Sequence, residues 1–503
     1  MELTTLLLLL LLLLTLVWLC LLWKGIDPVR LVRSVFKSPR HYLTPSSYAE
    51  RAKLLRQAQL VPPGARTDQA LLYSEAMGKL ADASSSAEIE ELVHFLYATR
   101  LVNTDVKAQH FAQHSQRKLP LHALSAATLS VIIILLHRYV KFHGVAETIQ
   151  SCFEAATGRN CFELKIELER HLSIHRLVFQ RIHFSCVRDA IITHLEQEAA
   201  SLLSDPDFVR PLKVIWYVLG CSSRYDIDDT MISVLFDTRY PDLTVYPGVH
   251  QFVEELLHCE LNSSSSSSDC RPRLTFLTAR PDIMRRRSVR ELRASGFFHF
   301  NCAYSSHCLW TRSVTLIASM LTAVLMGRLS HVVLGSRRIA AGKLENFENF
   351  RRLFTEYQFI FVGDNGQGDI DLGKDLLSDP AKYGVSLVLI HDVVRNHVRS
   401  ARRLREEGIL VESFRRRECD AHGIILFQTY ISAVAQLYEH GIVDEHAVLR
   451  VLRKTTAAHA AITYESELQR ETVTREIAND IAMVIKALPE IHAESVVDEL
   501  SSK

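Results

Sequence analysis

The stretch "FIFVGDNGQGDID", residues 359–371, begins as an apolar run and ends as a glycine-rich turn that carries three aspartates. The same order recurs nearby, where other short apolar runs precede polar or acidic residues: "KVIWYVLG" (213–220), "LTFL" (274–277) and "SLVLI" (386–390). Helical patterns separate these runs. Such alternation is typical of a parallel α/β sheet, whose strand-end loops gather at one edge. The sequence therefore predicts an α/β fold over residues 206–420.

A second acidic turn, "RYDIDDTM" at residues 224–231, follows the first of these apolar runs. A calcium-binding EF-hand loop counted from Asp226 needs glycine at its sixth position and glutamate at its twelfth, and this chain has methionine and aspartate there. A solvated acidic turn and an aspartate-based phosphoryl-transfer site remain. The Asp226-x-Asp228-x-Thr230 spacing suits the second, because one carboxylate can attack phosphorus while the other protonates the leaving oxygen.

Phosphoryl transfer of this kind also needs a hydroxyl at a second strand end, a cation and a further acidic loop that binds a metal ion. Candidates follow in that order: Thr278 after "LTFL", Lys343 at the start of a helical pattern, and Asp364 with Asp369 in the glycine-rich turn. Each also has an ordinary interpretation, as a strand-end threonine, a solvated lysine or a structural turn. A nucleotide phosphate-binding loop is excluded at the glycine-rich turn, because no Gly-Lys-Ser/Thr follows it.

Together these segments resemble the catalytic domain of the actin-patch type of phosphatidate phosphatase, within the haloacid-dehalogenase superfamily. The resemblance covers about residues 212–395 and rests on "DIDDTM", "DTRYPDLTVYPGVHQF", "LTARP", "GKLENF", "YQFIFVGDNGQGDID" and "LVLIHDVV". It implies a Rossmann-like parallel sheet and Mg²⁺-dependent removal of phosphate from phosphatidate, which yields diacylglycerol. Lipin-type phosphatases have a first motif of the same kind, but their glycine-rich segment is less similar.

The resemblance also implies a role for each motif residue. Asp226 would be the nucleophile that becomes an aspartyl-phosphate, and Asp228 would be the acid for the departing oxygen and then the base for water. Thr230 would support the turn. Thr278 would bind the phosphoryl group, and Lys343 would stabilise the charge on nucleophile and phosphate.

Mg²⁺ is the cofactor that the resemblance implies, held by the aspartates of both acidic segments: Asp226, Asp364 and Asp369 through carboxylates and Asp228 through its backbone carbonyl. The chain departs from the family in one respect, because "CSSRY" separates the apolar run from Asp226 and indicates a frayed or bulged strand end. His391 also follows an apolar run, and an ordinary strand-end histidine is favoured there over a site residue.

The amino-acid composition disfavours several classes of protein. The 503 residues include 58 basic and 57 acidic side chains, so the chain lacks the overall positive field that nucleic-acid binding uses. Its ten cysteines form no Cys-x-x-Cys pair, which favours reduced thiols over a disulfide framework or a zinc site. The bulk of the chain is therefore predicted to face a reducing compartment.

The first residues predict a membrane anchor. Leu3–Trp23 contains no charged residue and would be about 31 Å long as a helix, enough to cross the bilayer core. A cleaved signal peptide is disfavoured by the length of this run, by Glu2 and by the lack of a small-residue cleavage site. Because Lys and Arg follow at once, the rest of the chain is predicted to lie in the cytosol, anchored to the endoplasmic reticulum or another endomembrane.

Helical patterns flank the α/β region on both sides. The predicted organisation is a transmembrane anchor, a basic juxtamembrane linker, a helical region, the phosphatase domain and a second helical region: residues 1–24, 25–70, 71–205, 206–420 and 421–503. Two apolar runs, Ala123–Leu136 and Ser313–Met326, are too short to span a bilayer and are predicted as buried helices.

The function predicted from these features is that of a membrane-anchored phosphatidate phosphatase that meets its phospholipid substrate at a membrane surface. One alternative keeps the same chemistry for a soluble or protein-linked phosphomonoester. Another is a non-catalytic lipid-binding scaffold that retains the fold. Loss of Asp226 or Asp228 would favour the scaffold, and this chain has both.

Overall fold

The computed structural model describes most of the chain from residue 69 onward, in eight segments: 69–218, 230–233, 237–257, 274–281, 324–327, 336–365, 368–393 and 411–488. Within them the chain is an α/β protein built on a six-stranded sheet in the order β3-β2-β1-β4-β5-β6. All neighbouring strands run parallel. The α/β class and the parallel sheet are therefore confirmed.

Four strands coincide with the predicted apolar runs, and two do not. The predicted strands are β1 Leu212–Val218, β2 Leu274–Pro281, β4 Gln358–Asp364 and β5 Val385–His391. β3 Val324–Gly327 and β6 Ile425–Phe427 form the two edges, where the sequence predicted helix. The helical prediction is wrong at residues 324–326 and 425–427, because each strand lies at one end of a longer apolar pattern and three residues are too few to separate the helical from the extended period.

A helical region precedes the sheet. Its helices are α1 Gln69–Asp82, α2 Ser86–Thr99, α3 Asp105–Lys118, α4 Ala126–Leu136, α5 His143–Glu154, α6 Gly158–His171, the short α7 Ile174–Arg176 and α8 Ser185–Leu203. Side chains at the N-caps of α2, α3 and α4 accept backbone hydrogen bonds and stop these helices from extending backwards. α4 is buried along nearly its whole length, so the first of the two short apolar runs is a core helix, as predicted.

The remaining helices surround the sheet. They are α9 Val249–Leu257, α10 Ser336–Leu353, α11 Asp369–Ser378, α12 Pro380–Tyr383, α13 Val411–Ala421, α14 Tyr430–Glu439, α15 Glu445–Ala460 and α16 Glu467–Ala487. Alternate residues of the strands face two hydrophobic cores, as the strand period of two requires. One core joins the sheet to α1–α8 and α10–α13, and the other joins it to α9 and α14–α16.

A buried ion pair fastens the N-terminal helical region to the sheet domain. Lys165 on α6 lies with its Nζ 2.5 Å from Oε1 of Glu356, and both side chains are almost fully buried. The same Nζ donates to the carbonyl of Leu353 at 3.2 Å. In a site without solvent each charge needs the other, because a buried charge without a partner would be strongly destabilising.

A Lys165→Met variant is therefore expected to lower the free energy of unfolding by about 3–5 kcal/mol, since Glu356 would stay buried without its cation. Adding Glu356→Gln should recover much of that loss. Urea unfolding followed by circular dichroism measures both. Lys141→Met is the control, because its partner Asp105 and Lys141 itself are exposed, and a change of about 1 kcal/mol or less is expected there. Equal losses in the two single variants would contradict the role of this pair.

Across the described segments, no helix combines the length and apolar character that crossing a bilayer demands. The predicted anchor at residues 1–24 and nearly all of the linker lie outside those segments. The same is true of residues 313–323 in the second short apolar run.

Candidate active site

The glycine-rich turn begins where β4 ends, at the carboxyl edge of the sheet. Asp364 is the last residue of β4 and Asp369 is the first of α11. Gly368 caps α11 with φ 77°, a left-handed conformation that glycine adopts without strain. Gly363 is required for a different reason, because a Cβ there would lie 2.7 Å from Oδ2 of Asp369. The glycines thus fold the turn tightly enough to bring the two aspartates together.

Four of the predicted site residues are in contact. Oγ1 of Thr230 donates to Oδ2 of Asp364 at 3.2 Å, across 134 positions of sequence. The backbone amide of Asp364 donates to Oδ2 of Asp369 at 3.3 Å, and Nζ of Lys343 donates to Oδ1 of the same carboxylate at 2.5 Å. All four side chains are at most 2% exposed. Three segments that are far apart in the sequence therefore meet in one buried cluster.

Burial dominates the electrostatics of this cluster. It raises the pKa of Asp369 to about 6, although Lys343 and the amide of Asp364 both act to lower it. Two aspartates share the cluster with one lysine, so the described part of the site has more acidic than basic groups. A further positive charge would stabilise it.

Thr278 reaches the same edge through its backbone. It lies in β2 and pairs with Val218, at the carboxyl end of β1. Its side chain lies outside what the structure describes, and so do Asp226 and Asp228 in the segment that follows β1. β1 and β4 are adjacent in the sheet, although β2 and β3 lie between them in the chain. This is the point at which the strand order reverses, where α/β sheets most often bind their ligands.

Several neighbours of the site were not predicted. Asn365, next to Asp364, donates through its side chain to Oδ1 of Asp392 and accepts from the amide of Val393 at 3.0 Å. Arg239 is buried beside the ends of β5 and β6. Asn365 could have been found from its position next to Asp364 in the glycine-rich turn. Nothing local in the sequence marks Arg239.

His391 ends β5 beside Asp364 and is fully buried. Its Nε2 lies 3.2 Å from the carbonyl of Gln428, and its ring stacks on Phe427 with centroids 4.9 Å apart. These contacts match the ordinary strand-end histidine that the sequence favoured.

The donor chemistry of the cluster fits Mg²⁺. Hard carboxylate oxygens are the ligands that this ion prefers, and an excess of buried acidic groups is the environment that a divalent cation stabilises. Within the described segments, no group of three or more acidic, histidine or cysteine side chains forms a ready metal site. The carboxylate of Asp369 is engaged by Lys343 on one oxygen and by a backbone amide on the other. Oδ2 of Asp364 accepts from Thr230, so hydrogen bonds orient both carboxylates of the glycine-rich turn.

Comparisons with known proteins add no further evidence: no protein-family model, no curated protein and no solved structure matches this chain.

Proposed function

We propose that this chain is a Mg²⁺-dependent phosphatase of the haloacid-dehalogenase type that hydrolyses phosphatidate to diacylglycerol and phosphate. The observation that carries the proposal is the buried contact of Thr230, Asp364, Asp369 and Lys343. These residues come from three of the four motifs, and they meet at the carboxyl edge of a parallel sheet. A solvated acidic turn or a surface lysine would not be buried in this way.

In the proposed reaction the carboxylate of Asp226 attacks phosphorus and the bond to the diacylglycerol oxygen breaks. Asp228 donates its proton to that oxygen. The same carboxylate then takes a proton from water, which attacks the aspartyl-phosphate, releases inorganic phosphate and restores Asp226. Lys343 and Thr278 stabilise the charge on the phosphoryl oxygens. When bound, Mg²⁺ would be held by Asp226, the carbonyl of Asp228, Asp364 and Asp369, and would offset the repulsion between nucleophile and phosphate.

The lipid substrate is proposed from the resemblance and from the apolar N-terminal run, which would hold the catalytic edge near a bilayer. Phosphate release should be measured from phosphatidate in mixed micelles, from a soluble phosphomonoester and from phosphatidylcholine, which is a diester. Strong preference for phosphatidate is expected, with no release from the diester. Efficient cleavage of the soluble ester alone would favour the soluble-substrate alternative, and no release from any of them would favour the scaffold.

An Asp364→Asn variant is expected to raise the Mg²⁺ concentration needed for half-maximal activity by at least about tenfold. Mutation of a residue that only supports a metal ligand already weakens metal binding by about this much, and Asp364→Asn removes a charged oxygen that would face the ion itself. The amide can still accept from Thr230, which limits the effect on folding. Asp371→Asn is the control, because Asp371 lies on α11, just after the glycine-rich turn, with its side chain about half exposed. An unaltered Mg²⁺ requirement in Asp364→Asn would mean that the glycine-rich turn is only structural.

A further inference from the structure

The C-terminal helices contact the first acidic segment directly and are linked to the glycine-rich segment through intervening residues. Tyr430, the first residue of α14, donates its hydroxyl to the carbonyl of Thr230, and both residues are buried. The N-cap of the same helix, Thr429, donates through Oγ1 to Oδ2 of Asp480 on α16 at 2.6 Å. The turn that carries Thr230 is therefore tied to α14, and α14 is tied to α16.

A buried arginine forms a second connection, from α16 toward the sheet. Arg239 pairs with Asp237 at 2.7 Å and, through Nη1, with Glu476 of α16 at 2.7 Å. All three side chains are at most 6% exposed. Burial alone would raise the pKa of Asp237, and the Arg239 guanidinium overcomes this and holds that pKa below its usual range. The arginine is thus fixed by two carboxylates from different parts of the chain.

The rest of the guanidinium group points at the strand ends beside the glycine-rich turn. Nη2 donates to the carbonyl of Asp392 at 3.2 Å, and Nη1 donates to the carbonyl of Gln428 at 3.3 Å. Asp392 in turn accepts a hydrogen bond from Asn365, the neighbour of Asp364. An unbroken series of contacts therefore runs from Glu476 through Arg239, Asp392 and Asn365 to the acidic turn.

We propose that Glu476 and Arg239 are positioning residues, which fix the glycine-rich turn from α16 so that Asp364 faces the metal ion, while Tyr430 fixes the turn after Asp228 in the same way. The inference rests on the proposed function, because it assigns these residues to its metal site. In this proposal the C-terminal helical region, which the sequence predicts only as flanking helices, contributes to metal binding. Sites held by such outer contacts lose about 10–100-fold in metal affinity when the contacts are removed.

The test compares two glutamates that undergo the same chemical change. Glu255 on α9 is also buried and pairs with an arginine, Arg450, through both carboxylate oxygens at 2.7 Å. Among the described residues, its hydrogen bonds and ion pairs involve no member of the series above. Glu476→Gln is expected to weaken Mg²⁺ binding, measured by calorimetry and by the Mg²⁺-dependent rise in Tm, at least about tenfold. Glu255→Gln is expected to leave Mg²⁺ affinity unchanged and to cost less stability, because Arg450 is about half exposed whereas Arg239 is buried. The KM for phosphatidate should change little in either.

A second pair keeps the inference falsifiable if Glu476→Gln does not fold. Tyr430→Phe removes only the hydroxyl that donates to the carbonyl of Thr230. Tyr73→Phe is the control and removes a part-buried hydroxyl that also donates to a backbone carbonyl, that of Lys107 at 2.8 Å, far from the site. Lower kcat and weaker Mg²⁺ binding are expected for Tyr430→Phe alone.

The outcomes separate the two proposals. If the wild-type chain binds Mg²⁺ and releases phosphate, but Glu476→Gln and Tyr430→Phe behave like their controls, only the positioning role is overturned. If the wild-type chain neither binds Mg²⁺ nor releases phosphate, the proposed function fails and this inference fails with it.

Discussion

An Asp226→Asn variant is expected to release phosphate from phosphatidate at least about a thousandfold more slowly than the wild-type chain, because removal of a catalytic nucleophile costs at least this much. The amide is a poor nucleophile, and the exchange also removes a charged oxygen from the predicted metal site. Stability should not fall. The site holds an excess of acidic groups, so one carboxylate fewer reduces repulsion among them.

Phosphate release and thermal unfolding should be measured on the same preparation. Asp242→Asn is the matched control, since Asp242 is an exposed aspartate in the turn that follows the first acidic segment, and its activity should equal that of the wild type. If Asp226→Asn retains more than about a hundredth of the wild-type rate at unchanged Tm, Asp226 is not the nucleophile.

A Lys343→Met variant is expected to fail in two ways at once. The free energy of unfolding should fall by about 3–5 kcal/mol, because the fully buried Asp369 would lose the cation 2.5 Å away. Phosphate release should fall by about a hundredfold or more, as it does when a charge-stabilising donor is removed from an active site. Thermal or urea unfolding measures the first effect and a phosphate assay at saturating Mg²⁺ measures the second.

The loss of stability in Lys343→Met should depend on pH. The folded pKa of Asp369 is about 6 even beside the lysine, above the usual value of an aspartate. A carboxyl group whose pKa is higher in the folded than in the unfolded chain destabilises the fold once it is ionised. This destabilisation grows as the pH rises from the unfolded pKa to the folded pKa. Without Lys343 that pKa rises further. The loss should therefore be largest at neutral pH and smaller near about pH 5, where Asp369 takes up a proton.

A double variant separates packing from chemistry. Lys343→Met with Asp369→Asn removes both charges and should recover most of the lost stability, because no buried charge remains without a partner. Its activity should stay low, since the phosphoryl group still lacks the lysine. Recovery of activity together with stability would show that Lys343 and Asp369 are an ordinary core ion pair.

The sheet could be predicted because its inner strands leave a strong local signal. "FIFVG" is apolar at consecutive positions, which a strand covered on both faces requires, and β4 is buried accordingly. The edge strand β6 could not be predicted. Ile425–Phe427 is short and runs almost directly into the helical pattern of α14, so the helical period extends over it.

Asp364 ends β4 and Asp369 begins the next helix, so their place at the carboxyl edge follows from the same logic. Lys343 does not follow it: the sequence predicts it at the start of a helix, whereas it lies within α10 (Ser336–Leu353) and reaches Asp369 from there. What could not be predicted is the support around them. Arg239 pairs with Glu476 across 237 positions, and a single sequence holds no local pattern that would join the two. In the sequence Asp237 is only the twelfth position of a possible calcium loop, whereas in the structure it pairs with Arg239.

The most direct test of the account is the rate of phosphate release from phosphatidate by the full-length chain, measured with Mg²⁺, after removal of Mg²⁺ by EDTA, and after Mg²⁺ is restored. The account predicts release with Mg²⁺, a background rate in EDTA and full recovery on restoration, with Asp226→Asn at background throughout. A chain that releases no phosphate in Mg²⁺, or that releases it equally fast in EDTA, would contradict the account.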